Sequence, residues 1–332
     1  MSDAAVSVNA LSLAAADTRE HLSPNQQAWR GFRRNRPAIV SSALLGVLVL
    51  LVVLWPLWRT STLSDLVPRA LTFSPTELTD EPFSAPNPTH WLGTDANGRD
   101  ILSRMFYGAR ISLVVGLVGA GVSLVIGVLW GAVAGYVGGR VDNVMMRIVD
   151  ILYCLPSIIF VVLLMALVEN QFRAWLSGTF SPQLGGLARM LLLFIGLGAV
   201  SWLTMARIVR GQVLSLRTRQ FVHASRSLGA GTARILRRHI LPNVYGIIIV
   251  YVTLTIPSII LYESFLSFLG LGIRPPQASL GWLISEGALQ INPIRIYWWM
   301  ILYPAGLLGL TLLALNFVGD GLRDAWDPRT KE

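Results

Sequence analysis

Long uncharged hydrophobic runs alternate with short charged segments along this chain. A helix that crosses a bilayer needs roughly 20 apolar residues. Six runs bounded by charged residues or histidine contain between 17 and 29 residues, and the two shortest can extend into their flanks. The runs are 37–58, 111–139, 151–168, 190–206, 240–262 and 296–319. This pattern predicts an all-α polytopic membrane protein with six transmembrane helices.

The predicted spans divide the chain into five parts. They are a cytoplasmic N-terminal segment 1–36, a first anchor helix 37–58, an external Pro-rich loop 59–110, a five-helix core 111–320 that contains a cytoplasmic loop 207–242, and a cytoplasmic tail 321–332. The N-terminal segment is polar and lacks the early apolar stretch of a cleaved signal peptide. We therefore expect the first span to act as an uncleaved anchor, followed by an irregular loop and a short amphipathic helix that leads into the second span near Ile111.

The basic residues predict the orientation of these spans. With the N-terminus inside, the inner segments 1–37, 135–148, 206–242 and 320–332 carry 18 of the 27 basic residues. Cytoplasmic loops of membrane proteins are enriched in Lys and Arg. The distribution therefore predicts that both termini lie in the cytoplasm.

Composition narrows the possible chemistry. Hydrophobic residues make up 53% of the chain and charged residues 14%, with a net charge of +9. The first lysine is Lys331, so no Walker A motif is present, because that motif places a lysine after its glycines. The single cysteine, Cys154, excludes an intrachain disulfide, and no histidine lies within a predicted span to activate a nucleophile. We expect no catalytic residue, metal site or cofactor in this chain.

The inner loop 207–242 carries eight arginines and no acidic residue. Phe221, then Ala224 or Ser225, then Leu228 follow helical spacing and predict a short helix with an apolar stripe. Gly229 to Gly231 would end it, Thr232 would cap a second helix to about Ile240, and Pro242 would begin the fifth span. These features predict a helix–glycine–helix elbow at the inner membrane surface.

The arginines of this loop are open to four interpretations. They can set the membrane topology, attract anionic lipids, bind nucleic acid or form a docking surface for a cytoplasmic motor. Nucleic acid is disfavoured because the loop is short, is tethered to the membrane and has one aromatic residue, Phe221. An apolar stripe on the elbow would be poorly satisfied in water alone, which favours docking to a partner.

Two further patterns concern packing. Small residues at a spacing of four let helices approach closely, and Gly127, Gly131 and Gly135 follow that spacing; either tight packing or a moving kink would explain them. Four acidic residues lie near the ends of predicted spans, where pairing with arginine is favourable. We predict structural ion pairs for these residues, which are Asp142, Asp150, Glu263 and Asp320.

Residues 223–229 and 238–243 resemble the EAA loop of ABC importer permeases. Ala224, Gly229, Leu241 and Pro242 match the family pattern, while His223 stands in place of its Glu and Ser225 in place of its second Ala. Further segments are similar to the C-type permeases of peptide importers: 92–95, 98–100, 107–110, 206–211, 263–272 and 319–328.

This resemblance implies a six-helix permease of the type I importer class, in the bacterial inner membrane. It implies a heterodimer with a B-type permease, two P-loop ATPase subunits that bind ATP and Mg, and an extracytoplasmic solute-binding protein. The substrate would be a di- or oligopeptide; nickel, glutathione or a peptide antibiotic is the alternative for the same machinery. A receptor or assembly subunit that senses a ligand without moving it is a different class, distinguished by the absence of ATP-dependent accumulation.

The resemblance also implies functional residues. The family's loop contacts the ATPase, which gives a coupling set comprising Phe221, His223, Ala224, Ser225, Arg226, Leu228, Gly229, His239, Leu241, Pro242 and Asn243. A binding protein would dock on outer loops 59–100 and 269–298, where Trp282, Ser285 and Glu286 are candidate contacts. The residues of the translocation path are not identified by the sequence.

Overall fold

The computed structural model describes residues 24–60, 68–181, 187–273 and 277–326, and these are almost entirely helical. Most of the predicted N-terminal segment and the end of the predicted tail lie outside them. In chain order the helices are α1 (Pro24–Arg34), α2 (Arg36–Thr60), α3 (Ile101–Val137), α4 (Gly139–Tyr153), α5 (Ser157–Thr179), α6 (Ala188–Leu216), α7 (Gln220–Ser227), α8 (Thr232–Ile235), a π-helical turn (Leu236–Ile240), α9 (Leu241–Phe268), α10 (Leu280–Leu289) and α11 (Trp299–Trp326).

Six helical stretches of the described chain are long and apolar enough to cross a membrane, as the sequence predicts. They are Arg36–Leu57, Ile101–Val137, Ser157–Thr179, Ala188–Leu216, Thr232–Phe268 and Trp299–Trp326. The stretches extend beyond the uncharged runs because arginines and carboxylates at their ends remain helical. The six-span prediction is confirmed, while the boundaries differ by several residues.

The second span differs from its prediction at its outer end. Within the described residues 68–100 no separate amphipathic helix leads into it, because α3 is continuous from Ile101 to Val137. Asp100 caps the helix: its side chain accepts a hydrogen bond from the Ser103 amide at 2.8 Å. Gly138 ends the helix with a positive φ of 69°, a conformation that glycine adopts without the steric cost of a side chain.

The third crossing is a broken helix rather than an inner turn followed by a short span. Contacts between α4 and α6 occur in antiparallel order: Asp142 meets Arg210, and Tyr153 meets Thr204. Residues 139–153, which the sequence assigns largely to an inner turn, are therefore helical and lie along α6. The chain breaks around Pro156 and continues as α5, which packs on the outer half of α6.

Close packing of α3 on α6 holds the centre of the molecule together. A Cβ added to Gly127 would lie 2.6 Å from Met205 Cβ, and one added to Gly135 would lie 2.8 Å from the Arg210 carbonyl oxygen. Gly131 faces the Ala206 carbonyl oxygen equally closely. These contacts support the packing interpretation of the glycine repeat, because no larger side chain fits between the two backbones.

Candidate coupling and translocation sites

The inner loop forms the elbow that its sequence predicts. Helix α7 ends at Ser227, and Gly229 then adopts a φ of 79° that reverses the chain direction. Gly231, in an extended conformation, is the N-cap of α8, so Thr232 is the first helical residue rather than the cap. We name residues 220–243 the elbow.

The second arm of the elbow runs directly into the fifth span. Pro242 is the second residue of α9 and does not begin a new helix, because a π-helical turn (Leu236–Ile240) joins α8 to α9 without a break. Proline has no N–H to donate to the carbonyl four residues earlier, and the wider turn accommodates this. The Asn243 side chain donates to the His239 carbonyl at 2.6 Å. The second arm of the elbow and α9 therefore form one continuous helical segment.

The apolar side chains of the elbow divide into two sets. Val222, Ile235 and Ile240 are fully buried against α3, α6 and α9 and attach the elbow to the core. Leu228 projects outward with 88% of its surface exposed, and Phe221 is 39% exposed. The exposed pair brackets α7. This leaves an apolar surface at the tip of the molecule with open space around Gly229.

Polar contacts link the two helical arms of the elbow to each other and to α3. Ser225 Oγ and His239 Nε2 are 3.3 Å apart, which links α7 to the π-helical turn. Arg226 donates to the Tyr136 hydroxyl at 3.1 Å and so ties α7 to the end of α3. Three predicted coupling residues therefore support the elbow from within.

Several arginines of the 207–242 segment belong to internal pairs. Arg207 pairs with Asp150 at 2.7 Å, and Arg210 donates to both oxygens of Asp142, one of them at 2.7 Å. Arg217 donates to the Gly135 carbonyl at 3.1 Å. The predicted ion pairs of Asp142 and Asp150 are confirmed, and these arginines contribute to the packing of α6 as well as to the charge of the inner face.

A cavity of about 560 Å³ lies at the break between α4 and α5. Helices α6 and α9 supply its other walls, so it is lined by the middle parts of these helices. Eight of its lining residues carry hydroxyl groups, and none is charged; the eight are Tyr153, Ser157, Ser201, Thr204, Tyr251, Thr255, Ser258 and Tyr262. No local sequence pattern predicts this site, because its residues come from four separate helices.

The hydroxyls of the cavity are largely satisfied by the protein itself. Ser201 donates to the Leu197 carbonyl at 2.9 Å, and Thr255 donates to the Tyr251 carbonyl at 2.6 Å. Each retains lone pairs that can accept from a solute. A lining of this kind can bond to amide and hydroxyl groups of a solute but offers no charged partner.

One edge of the cavity carries a polar cluster. The Tyr153 hydroxyl lies 2.5 Å from Thr204 Oγ1, and the Arg207 guanidinium stands 4.0 Å above the Tyr153 ring. Arg207 in turn pairs with Asp150. The cluster joins the end of α4 to α6 on the side of the cavity that faces the elbow.

The outer end of the molecule is closed by ion pairs. Arg104 pairs with both Asp95 and Glu286, and Arg99 pairs with the same two carboxylates, at 2.7 Å and 3.1 Å. Asp95 and Arg104 are each 3% exposed. Glu286, a predicted docking residue, therefore joins α10 to α3 and the external segment.

The other two predicted docking residues also have internal contacts. Ser285 donates to the Phe268 carbonyl at 2.8 Å, and the Trp282 amide donates to Ser279 Oγ at the start of α10. The Trp282 ring is partly buried and packs against a cluster of buried hydrophobic side chains, and within the described residues its indole N–H has no hydrogen-bond partner. Docking by these residues stays a prediction.

The external segment 68–100 has little regular structure, as predicted, but it is folded. His90 Nδ1 and Asp100 Oδ1 are 3.0 Å apart in a buried pair, and Phe73 stacks on the His90 ring at 4.5 Å. Burial raises the pKa of Asp100 above its ordinary value, although hydrogen bonds from Ser103 and the contact with His90 oppose the shift. The segment closes over the start of α3.

Glu263 corrects one sequence prediction. The residue is fully buried and is held by serine hydroxyls rather than by the predicted ion pair with arginine. Ser267 donates at 2.7 Å and Ser112 of α3 at 3.2 Å. Glu263 therefore ties α9 to α3. Asp320, by contrast, is exposed on α11.

Comparison with solved structures identifies the class of fold. Two inward-facing structures of the MetNI methionine ABC transporter match this chain with TM-scores of 0.50 and 0.51. The matches cover 68% and 67% of this chain and 97% and 96% of the matched chain, at 21% and 19% identity. The molecule thus has the fold of an ABC importer membrane subunit, and the predicted type I permease fold is confirmed.

Sequence comparison then identifies the family. The model described as "Binding-protein-dependent transport system inner membrane component" matches residues 127–332, and "N-terminal TM domain of oligopeptide transport permease C" matches residues 23–71. The chain belongs to this family of binding-protein-dependent inner membrane permeases. It is 42% identical to the dipeptide transport system permease protein DppC of Bacillus subtilis (94% of this chain, 88% of the relative). It is 43% identical to the oligopeptide transport system permease protein OppC of Escherichia coli K12 (92% and 91%).

These comparisons confirm the predicted multi-pass location in the inner membrane and the assignment as a permease subunit rather than an enzyme. Membership of the family implies separate ATPase subunits, a substrate-binding protein and, in general, a second permease.

Proposed function

We propose that this chain is the C-type permease of an ATP-driven importer for di- or oligopeptides. In this proposal it pairs with a B-type permease, two ATPase subunits that hold ATP and Mg, and an external solute-binding protein. The names of the relatives supply the substrate class. The cavity supports it, because an uncharged lining rich in hydroxyls can bond to peptide amides without selecting among side chains.

The exposed tip of the elbow is the observation that carries the coupling mechanism. Leu228, directly after the end of α7, is 88% exposed, whereas Val222 near the start of α7 is fully buried against the core. Exposure of an apolar side chain to water is unfavourable. An ATPase subunit that covers Leu228 in the complex would explain why the side chain is exposed in the single chain. Closure of the two ATPase subunits would then move α7, and the unbroken path through the π-helical turn would transmit the movement to α9 and the cavity.

Replacement of Leu228 tests this mechanism. The complete complex, purified and reconstituted in proteoliposomes with its binding protein, should accumulate a labelled tripeptide when ATP is supplied. Leu228→Asp should remove most of this uptake and reduce the ATPase subunits recovered with a tagged permease. Val141→Asp is the matched control, because Val141 is 43% exposed near the inner start of α4, outside the elbow and outside the outer loops. Normal uptake by Leu228→Asp would contradict the coupling role, and failure of the wild type to accumulate peptide would favour a receptor.

A second experiment tests the cavity as the translocation path. Thr255→Trp should fill part of it and block uptake while leaving ATP hydrolysis by the complex in place. Leu310→Trp, on α11 outside the cavity and 52% exposed, is the control. Equal uptake by both variants would show that peptides do not cross at this site.

A further inference from the structure

Helix α1 stands at the entrance of the first span with only Asn35 between them. The Asn35 side-chain oxygen accepts from the Ala38 amide at 3.2 Å, and its nitrogen donates to Asp324 Oδ2 at 3.4 Å. Asp324 lies in the last turn of α11, where that span leaves the bilayer. These contacts place α1 at the membrane surface, on the side that the arginine distribution assigns to the cytoplasm.

One face of α1 is occupied by the protein. Ala28 and Phe32 are 5% and 8% exposed and pack against α11. A Cβ on Gly31 would lie 3.3 Å from Ala325 Cα, so the two helices are in direct contact. This attachment fixes which face of α1 points away from the protein.

The opposite face of α1 is basic. Arg30, Arg33 and Arg34 follow the spacing that puts side chains on one side of a helix, and all three are exposed. Residues 24–36 contain four arginines and no acidic residue. Beside them Trp29 is 60% exposed and stacks on Phe32 with ring centroids 6.0 Å apart. A helix with an arginine face and an exposed tryptophan is typical of the membrane interface.

We propose that this face of α1 is a binding site for the headgroups of anionic phospholipids of the inner leaflet. Guanidinium groups bind phosphate oxygens through paired hydrogen bonds, and the cytoplasmic leaflet carries the negative surface charge that such a cluster attracts. The bound headgroups hold α1 against the bilayer while its apolar face holds α11.

This site is connected to the elbow through α11. Trp326, at the end of α11, lies so close to Gly246 that a Cβ there would overlap its ring. Gly246 follows Pro242 by one helical turn at the start of α9. Lipid bound at α1 therefore stabilises the helix end against which the start of α9 rests.

Lipid binding can be measured directly on the purified complex. Native mass spectrometry during titration with phosphatidylglycerol, and separately with phosphatidylcholine, would report the affinity for each lipid. We expect a preference for phosphatidylglycerol in the wild type. The triple variant Arg30→Gln/Arg33→Gln/Arg34→Gln should lose it, because each arginine near an anionic surface contributes about fivefold in affinity.

Two controls separate a built site from general electrostatic attraction. Arg140→Gln/Arg147→Gln/Arg219→Gln removes the same charge from other exposed inner positions and should retain the preference. Arg30→Lys/Arg33→Lys/Arg34→Lys keeps the charge and should retain most of the affinity.

Equal weakening in the two glutamine variants would overturn the assignment, and so would an unchanged affinity in the α1 variant. Unchanged lipid affinity with loss of the ATPase subunits from the purified α1 variant would show instead that this face binds protein. All of these measurements report binding without transport, so they stand whether or not the chain moves peptides.

Discussion

The outer cap, which we define as the external segment 68–100 with α10 and the start of α3, lies at the opposite end of this permease from the elbow, and the two differ in how their side chains are satisfied. At the outer end, Arg104 and Asp95 are buried and paired, and His90 is stacked and bonded to Asp100. At the inner end, Leu228 is exposed and Gly229 is surrounded by open space. The outer end satisfies its own polar groups, whereas the inner end leaves apolar surface for another molecule to cover.

This difference separates stability from function along the same chain. A change in the outer cap removes contacts that the folded chain makes with itself, so it should affect unfolding first. A change at the tip of the elbow removes contacts that exist only in the complex, so it should affect transport with little effect on unfolding. The predictions below test that separation in order of expected effect.

Arg104→Ala should have the largest effect on stability. The substitution leaves Asp95 buried without one of its two arginine partners, and removal of one member of a buried ion pair typically costs about 3–5 kcal/mol. Thermal unfolding of the purified chain in detergent would measure the loss. Arg226→Ala, which breaks a partly buried contact at the elbow, should cost much less; similar losses at the two sites would remove the contrast.

Gly229→Val should have an intermediate effect on stability and a large one on transport. A β-branched residue at a φ of 79° costs roughly 1–3 kcal/mol, and the chain would relieve the strain by changing the path of the elbow. Gly231→Val is the matched control, because Gly231 also has open space around it but has an extended conformation. Uptake and thermal unfolding measured together would show the difference; equal uptake by the two variants would argue against a role for the elbow path.

Asp100→Ala should cost about 1–2 kcal/mol through loss of the helix cap of α3. A pH series adds a second test. Burial raises the pKa of Asp100 above its ordinary value of 3.8. Between the ordinary pKa and the raised pKa, the folded state keeps a proton that the unfolded state has lost. The contribution of Asp100 to stability therefore falls as the pH rises between these two values. Asp100→Asn should flatten this part of the stability curve, and an unchanged curve would contradict the shift.

Leu228→Ser should have the smallest effect on stability, within about 0.5 kcal/mol, because an exposed side chain contributes little to folding. Uptake by the complex should nevertheless fall strongly. A marked loss of thermal stability in the isolated chain would show that the tip is part of the fold rather than a contact surface.

The spans and the elbow could be predicted because each depends on residues that are close together in the sequence. A helix in lipid must satisfy its backbone internally, so length and apolar composition nearly suffice to identify it. The elbow was predictable because Gly229 and the arms around it are adjacent in sequence. The broken third crossing was not, because arginines of α6 pair with Asp142 and Asp150 and allow those charges to lie along another helix.

Contacts between residues that are distant in the sequence could not be predicted from the local sequence pattern. Within the described residues Glu263 forms no ion pair with an arginine, and one of its serine partners, Ser112, lies 151 residues away in the chain. Glu286 was predicted only as a docking contact, and its pairing with Arg99 and Arg104 could not be predicted from its sequence neighbours. Such partners depend on which helix ends meet, and nothing in the neighbouring residues specifies that.

The sequence by itself therefore determined the number of spans, the position of the elbow and the absence of a Walker A motif, because each depends on residues close together in the chain. Only the tertiary structure decided where the cavity lies, which carboxylates are paired and which face of α1 is exposed. Those features arise from packing between distant helices, whose arrangement is set by the close approach of α3 and α6 and by the break between α4 and α5.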